Sequence, residues 1–504
     1  GWHYATSHGE EMVPVLPKKD PLAAIKVTPS MRATAKYFWV VIALFLTQIL
    51  LGALTAHYQV EGHDFYGIAL SEYLPYSLTR TWHTQLAVLW IATAWLGMGL
   101  YIGPAISGHE PRFQRLGVNL LWVCLLVIVV GAFAGQWFAV MQKLGLQHNF
   151  WFGHQGWEYV DLGRFWQWFL FAGLGIWLVL VGRCLVPAIR KGGEMRSITA
   201  LLFLSTVAIG LFYGAGLMWG EHTHLSLVEY WRWWVVHLWV EGVWELILGA
   251  ILGFVLLKIT GVDREVIEKW LYVIITLTLV TGIIGTGHHY YWIGAPGYWQ
   301  WWGGVFSALE PLPFFALTVF CFNMVNRRRR QHPNKAATLW ALGTGVMAFL
   351  GAGVWGFLHT LAPINYYTHG TQITAAHGHM AFYGAYVMVV LTIISYAMPM
   401  LRGREVNPER SQVLEMWSFW LMTVSMVFIT LFLTAAGILQ VWLQRIIPNP
   451  QSFMAVQDQL AMFYWMRWLT GMVFMIGLVV YLYSFFAKDK PQTVEAGEAQ
   501  PAAT

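Results

Sequence analysis

Charge is scarce in this chain: 11% of its 504 residues are Asp, Glu, Lys or Arg, whereas 57% are hydrophobic. So few ionic groups cannot coat a water-soluble globule of this length, and the composition belongs to an integral membrane protein. Cysteine is nearly missing as well. Cys124, Cys184 and Cys321 stand far apart, and nothing reads C-x-x-C-H, so neither a disulfide framework nor covalently attached haem is expected. Long polar linkers, internal repeats and a soluble domain are also lacking. No apolar signal segment precedes residue 35 and the sequence opens on Gly1, which suggests a processed or partial product.

What the chain does have is apolar runs. Twelve are long enough to cross a hydrocarbon core of roughly 30 Å: residues 35–58, 77–106, 113–139, 162–186, 196–218, 226–257, 265–289, 298–325, 336–361, 369–399, 411–440 and 460–486. The expected fold is an all-α membrane protein, a twelve-transmembrane-helix bundle spanning residues 33–487. A connector at 1–32 and a polar tail at 488–504 flank it, both on the cytoplasmic side. Seventeen Lys and Arg lie in or beside the even-numbered loops, including Arg327, Arg328, Arg329 and Arg330, against six on the other side. By the positive-inside rule the basic side is cytoplasmic. This asymmetry accounts for the net charge of +5 and calls for no nucleic-acid partner.

Given that topology, six histidines fall in the outer third of the bilayer. His83 is near the outer start of the second run, His237 is two to three turns into the sixth, His288 and His289 close the seventh, and His377 and His379 are two to three turns into the tenth. One buried histidine is usually a packing residue. Six in one layer on four helices are harder to explain that way, because polar groups in lipid are costly and are kept near partners or cofactors. Imidazole is the usual protein ligand for haem iron and other metals, so the layer reads as a metal layer.

Spacing adds detail. His377 and His379 in "AAHGHMAF" are two apart and point to opposite sides of a helix, so they serve two cofactors. Flat haem rings suit such an arrangement, and His83 is free to be a second axial ligand. In "GTGHHYYW" Gly285 and Gly287 are expected to relax the backbone so that both histidines turn toward one site. With His237 they make three nitrogen ligands. "HLWVE" then places Glu241 on the face of His237. Three imidazoles and a carboxylate suit iron better than copper.

These motifs resemble the main subunit of the haem-copper oxidase superfamily along all twelve runs. Oxygen-reducing members typically carry tyrosine four residues after the helix 6 histidine; Glu241 stands there instead, which resembles the nitric oxide reductase branch. That resemblance implies low-spin haem b held by His83 and His379, high-spin haem b3 held by His377, and a non-haem iron held by His237, His288, His289 and Glu241. Glu245 and Glu310 ("SALEPLPF") match two further glutamates tied to proton supply. Glu158 in "WEYVDLGR" resembles a calcium-binding glutamate beside the haem propionates, although an ordinary loop carboxylate explains it equally well.

At the outer end of the first run, "HYQVEGHDF" contains His57, Glu61 and Phe65, which resemble the quinol site of the quinol-dependent group, with Asp458 as its fourth member. A solvated helix end is the plainer reading of those residues by themselves. Members of that group usually carry an additional membrane helix, a periplasmic domain and a second helix ahead of this region. Residues 1–32 resemble the connector that follows them, so a fragment or a shortened form is expected.

The implied reaction is reduction of two NO to nitrous oxide and water with electrons from menaquinol or ubiquinol, in the bacterial inner membrane, with a homodimer as a compatible assembly. Glu229, Glu241, Glu245 and Glu310 place the ionisable groups in the outer half, and few buried carboxylates are read in the inner half. Protons are therefore expected from the periplasmic side, without pumping. The alternatives are an oxygen reductase of the same superfamily and, from another class, a proton-coupled transporter.

Overall fold

Apolar runs of this length can cross hydrocarbon only as helices, because every backbone N–H and C=O must be bonded within its own segment. A computed structural model describes residues 25–63, 67–156, 161–192, 196–260, 264–327, 334–404 and 406–487. Among them twelve helices are long and apolar enough to span: α1 Pro29–Val60, α2 Tyr76–Ser107, α3 Gln114–Val140, α4 Arg164–Lys191, α5 Arg196–Leu217, α6 Leu225–Leu256, α7 Val266–Tyr290, α8 Tyr298–Val325, α9 Lys335–Thr360, α10 Gln372–Leu401, α11 Glu409–Ile446 and α12 Ala461–Ser484. The first begins six residues earlier than expected, at Pro29, where the Thr28 hydroxyl accepts from the Met31 N–H at 3.3 Å. Most of the expected connector and all of the tail lie outside the described residues.

The helices form an inner and an outer set. In α2, α6 and α10, 83, 89 and 94% of the most apolar window is buried; in the other nine the share is 22–50%. A helix that is apolar all round belongs in the interior. The three innermost helices carry His83, His237 and the His377–His379 pair, so the chain places these imidazoles where lipid does not reach. Trp95 and Trp244 fill space between the inner helices and meet edge to face at 6.3 Å, while Trp90 ties α2 to α1 by stacking on Phe45 at 4.6 Å.

Two departures from plain α-helix shape the interior. Trp234–Val243 in α6, Phe349–Trp355 in α9 and Tyr383–Val387 in α10 are π-helical, with the wider i→i+5 winding. In addition, α8 is broken at Ala308–Glu310. Pro311 lacks an N–H and opens the second half, so the backbone there closes through tighter bonds such as Glu310 N–H to the Ser307 carbonyl at 3.2 Å.

Helices α9 and α10 cross with their backbones in contact, and the contact is reciprocal. A Cβ on Gly351 would lie 2.4 Å from the Met380 carbonyl carbon, and one on Gly384 would lie 2.2 Å from that of Met347. Small residues allow this approach. Gly351→Ala and Gly384→Ala are therefore each expected to destabilise the bundle by about 1–3 kcal/mol. Thermal melting of the purified protein in detergent checks this, and unchanged melting in both variants would contradict the close crossing.

Candidate haem and metal site

A neutral imidazole has one N–H and one lone pair, and a carbonyl oxygen can only accept. Wherever a histidine nitrogen faces a carbonyl, that nitrogen carries the proton and the other is left as a ligand. His237 Nε2 donates to the Gly282 carbonyl at 2.9 Å, which leaves Nδ1. His377 Nδ1 donates to Gly351 O at 3.0 Å, His379 Nδ1 to Ala375 O at 2.7 Å and His83 Nδ1 to Gln48 O at 2.8 Å, which leaves Nε2 in each. Ser307 Oγ donates to Gly285 O at 3.3 Å and so accepts from His288 Nδ1 at 2.6 Å. Five of the six rings have their tautomer set by the fold.

The free nitrogens converge in two places. In the first, ligand atoms of His237, Glu241, His288 and His289 all lie within 4.8 Å of one another. Glu241 Oε2 is 3.1 Å from His237 Nδ1, and the two Nε2 atoms of His288 and His289 face each other at 2.9 Å. Lone pairs so close repel unless a cation or proton lies among them, and a hard, nitrogen-binding metal ion fits this donor set. His289 is held by stacking flat on Trp233, with ring centres 3.7 Å apart and planes 10° apart.

The second convergence is between α2 and α10. The rings of His83 and His379 are 6.0 Å apart and 32° from parallel, which leaves room for one metal atom bonded to both at about 2 Å each. His377 leaves the other side of the same helix and packs against Gly356, where a Cβ would come within 3.2 Å of its ring. The opposed directions expected from the spacing are those observed.

Around these ligands stand the carboxylates. Glu245, one turn beyond Glu241, is buried and accepts from the Thr278 hydroxyl at 3.1 Å. Glu310, at the α8 break, is buried with an oxygen 3.8 Å from His288 Nδ1. The glycines of "GTGHH" act differently from the expectation. Gly285 has ordinary helical dihedrals; its lack of a Cβ makes room for Glu310 Oε1, which a Cβ would meet at 2.3 Å, and Gly287 lets the Gly303 backbone and Trp299 approach. The histidines themselves sit in a tight 3-10 turn, Thr286–Tyr290. Just past it the Tyr291 hydroxyl donates to Thr360 O at 2.8 Å, and burial raises its phenol above the usual range, so it stays a donor.

Some expectations change. Glu229 is not an open proton carrier: one oxygen is ion-paired to Arg232 and the other accepts from Trp233 Nε1 at 2.8 Å. Arg232 also holds Asp161 at 2.6 Å. This buried network braces the indole under His289. Few buried carboxylates are expected toward the opposite end of the bundle, and one is present there. Glu415, six residues past the start of α11, is fully buried and accepts from Asn407 Nδ2 at 2.7 Å. His359 is a further buried histidine, 6.1 Å from the His377 ring. No motif announces it, and both its nitrogens are engaged by hydroxyls, Thr368 at 2.9 Å and Thr374 at 3.0 Å, so it staples the α9–α10 connection.

At the C-terminal end of α1, buried His57 is ion-paired through Nδ1 to the exposed Glu61. Asp458 is exposed on the short helix Phe453–Gln459 before α12, which packs toward Val60 through Val456 and Leu460. Phe65 and Glu158 lie outside the described residues.

A twelve-helix bundle with histidines on its inner helices is the architecture of a haem-copper oxidase main subunit. A cryo-EM structure of a heme-copper terminal oxidase dimer aligns with a TM-score of 0.68 over 91% of this chain and 84% of that one, at 14% identity, a likeness of fold alone. The family described as Cytochrome C and Quinol oxidase polypeptide I matches residues 32–473, and the chain belongs to that family. Within it, the chain is 49% identical over 474 residues to a nitric oxide reductase subunit of Stutzerimonas stutzeri, covering 93% of this chain and 97% of that protein. A Cytochrome c oxidase subunit 1 homolog of Agrobacterium tumefaciens (strain T37) is 25% identical over 262 residues, 50% of this chain and 47% of that protein.

The Ser307 hydroxyl fixes which nitrogen of His288 points inward. Removing such a partner typically costs about 10–100-fold in metal affinity, and Ser307→Ala is expected to lose its non-haem metal that much more readily to a chelator while keeping its haem spectrum. Equal metal retention would show that His288 needs no such orientation.

Proposed function

We propose that this protein is a quinol-dependent nitric oxide reductase, reducing two NO with two electrons and two protons to nitrous oxide and water. The observation that carries this reading is the Glu241 carboxylate among His237, His288 and His289, at the position where oxygen reducers of the family resemblance carry tyrosine. The 49% identity to the nitric oxide reductase subunit of Stutzerimonas stutzeri, along nearly all of that protein, supports it.

In this reading His83 and His379 hold low-spin haem b, His377 holds haem b3, and the three histidines with Glu241 hold a non-haem iron. When bound, these groups deliver electrons and supply two metal sites close enough for two NO nitrogens to be coupled. The chain's own residues set the conditions. The hydrogen bonds to Gly282, Gly351 and Ser307 keep the ligand nitrogens aimed inward without reorganisation. Glu241 adds a hard anionic donor, which favours the ferric state.

Glu310 and Glu245, both buried, are the candidate proton donors for the oxygen that leaves as water. They lie in the half of the membrane that the charge asymmetry assigns to the outside, which supports periplasmic proton uptake without pumping. The pairing of buried His57 with exposed Glu61 supports a quinol site, since the two can take up the protons a quinol releases. A bacterial inner membrane and a homodimer are consistent with the relatives, one of which is a dimeric oxidase.

Three measurements test this. Purified full-length chain should contain two b-type haems and one non-haem iron; copper in place of the iron would overturn the reductase assignment. Glu241→Ala should lose NO reduction to background with both haem spectra intact, and retained NO turnover would remove Glu241 from the site. His57→Ala should raise the KM for quinol several-fold, with no change when an artificial donor feeds the haem; turnover with reduced cytochrome c and none with quinol would replace the electron donor.

A further inference from the structure

At the end of the bundle opposite the histidine layer, α1 and α3 begin side by side and enclose a cavity of about 580 Å³. Its wall contains three cations, Arg32, Lys36 and Arg115, with Trp39 and Asn119, and no carboxylate. Among the described residues none of the three cations is ion-paired. The carboxylate of Glu110, in the loop between α2 and α3, is committed to the start of α1, accepting from the Ser30 N–H at 3.1 Å and from its hydroxyl at 2.9 Å. Lys36 Nζ donates to Asn119 Oδ1 at 2.5 Å and lies 4.9 Å above the Trp122 ring, which leaves further donors. Arg115 is near enough to Lys36 for the two charges to repel. Like charges gathered at a membrane boundary, with no counter-ion among the described residues, favour an incoming anion.

We infer that this cavity binds the phosphodiester headgroup of an anionic phospholipid. The cavity alone would suit any phosphate, but α3 continues from it as an exposed apolar stripe, Leu116, Leu120, Val123 and Val127, at i, i+4, i+7 and i+11. Such a face, about 100° around α3 from Arg115 and Asn119, offers a track for acyl chains beside the charged wall. Trp39 sits where an indole favours the interface between headgroups and hydrocarbon. The ligand class is thus set by the charged wall and by the stripe beside it. The site is remote from the haem and metal ligands and does not depend on the proposed reaction.

The test compares delipidated wild-type protein with the triple variant Arg32→Gln, Lys36→Gln, Arg115→Gln, incubated separately with phosphatidylglycerol, phosphatidylcholine and inorganic phosphate, using native mass spectrometry and thermal melting. Wild type should retain phosphatidylglycerol and gain melting temperature, whereas phosphatidylcholine and inorganic phosphate should do neither. The triple variant, with an unchanged haem spectrum, should lose retention by a factor on the order of 100, from three cations near a membrane surface. Should the triple variant fail to fold, exposed Arg115→Gln alone should lose about fivefold. Equal retention in the variants, equal retention of phosphatidylcholine, or the same stabilisation by inorganic phosphate would each overturn the assignment.

Discussion

The structure depends on one constraint: inside the bundle there is no bulk water to satisfy a polar atom, so each imidazole nitrogen must find a protein partner or face a ligand. The chain meets it by giving five of the six histidines of the layer one backbone carbonyl or one serine hydroxyl each, on the side away from where the other nitrogens converge. That single bond fixes ring orientation and tautomer together. His359 is the counterexample within the same layer. With threonines on both nitrogens it has no electron pair to give, and so it is a structural histidine despite its burial and its neighbours.

The acceptors come from two kinds of backbone: Gln48 and Ala375 offer theirs from plain α-helix, whereas Gly351 and Gly282 offer theirs in or near a change of winding. An α-helix uses its carbonyls internally, so a carbonyl offered to a histidine is most easily found where the winding changes. Gly351 lies in the π-helical stretch of α9, and Gly282 and Gly285 lie in the last turns of α7 before the 3-10 turn. The glycines of these segments matter through closeness: Gly285 admits Glu310, and Gly351 brings its carbonyl against α10.

The bundle is legible in the sequence because hydrophobic length is a one-dimensional signal; all twelve helices lie within a few residues of their apolar runs. The histidine cluster is legible too, since six histidines on four helices, with Glu241 four residues after His237, need only periodicity to be seen. The supporting shell is not. Trp233 under His289, Arg232 joining Asp161 to Glu229, and Ser307 behind His288 are contacts between distant segments, and each is an ordinary membrane-helix residue when read singly. Glu229 and Glu415 escape a sequence reading for a related reason: whether a carboxylate is open to protons depends on which side chains close on it, and that is a tertiary fact.

The π-helical stretch of α6 has a consequence beyond the residues within it. Each wide turn takes up an additional residue, so the stretch acts as a phase shift and everything after Val243 is rotated about the helix axis relative to an uninterrupted α-helix. Glu245 reaches Thr278, and Trp244 faces Trp95 and Tyr386, only because that rotation has already been made upstream. The Trp234–Val243 stretch is therefore also the angular reference for the second half of α6, and the register of that half is written in those ten residues.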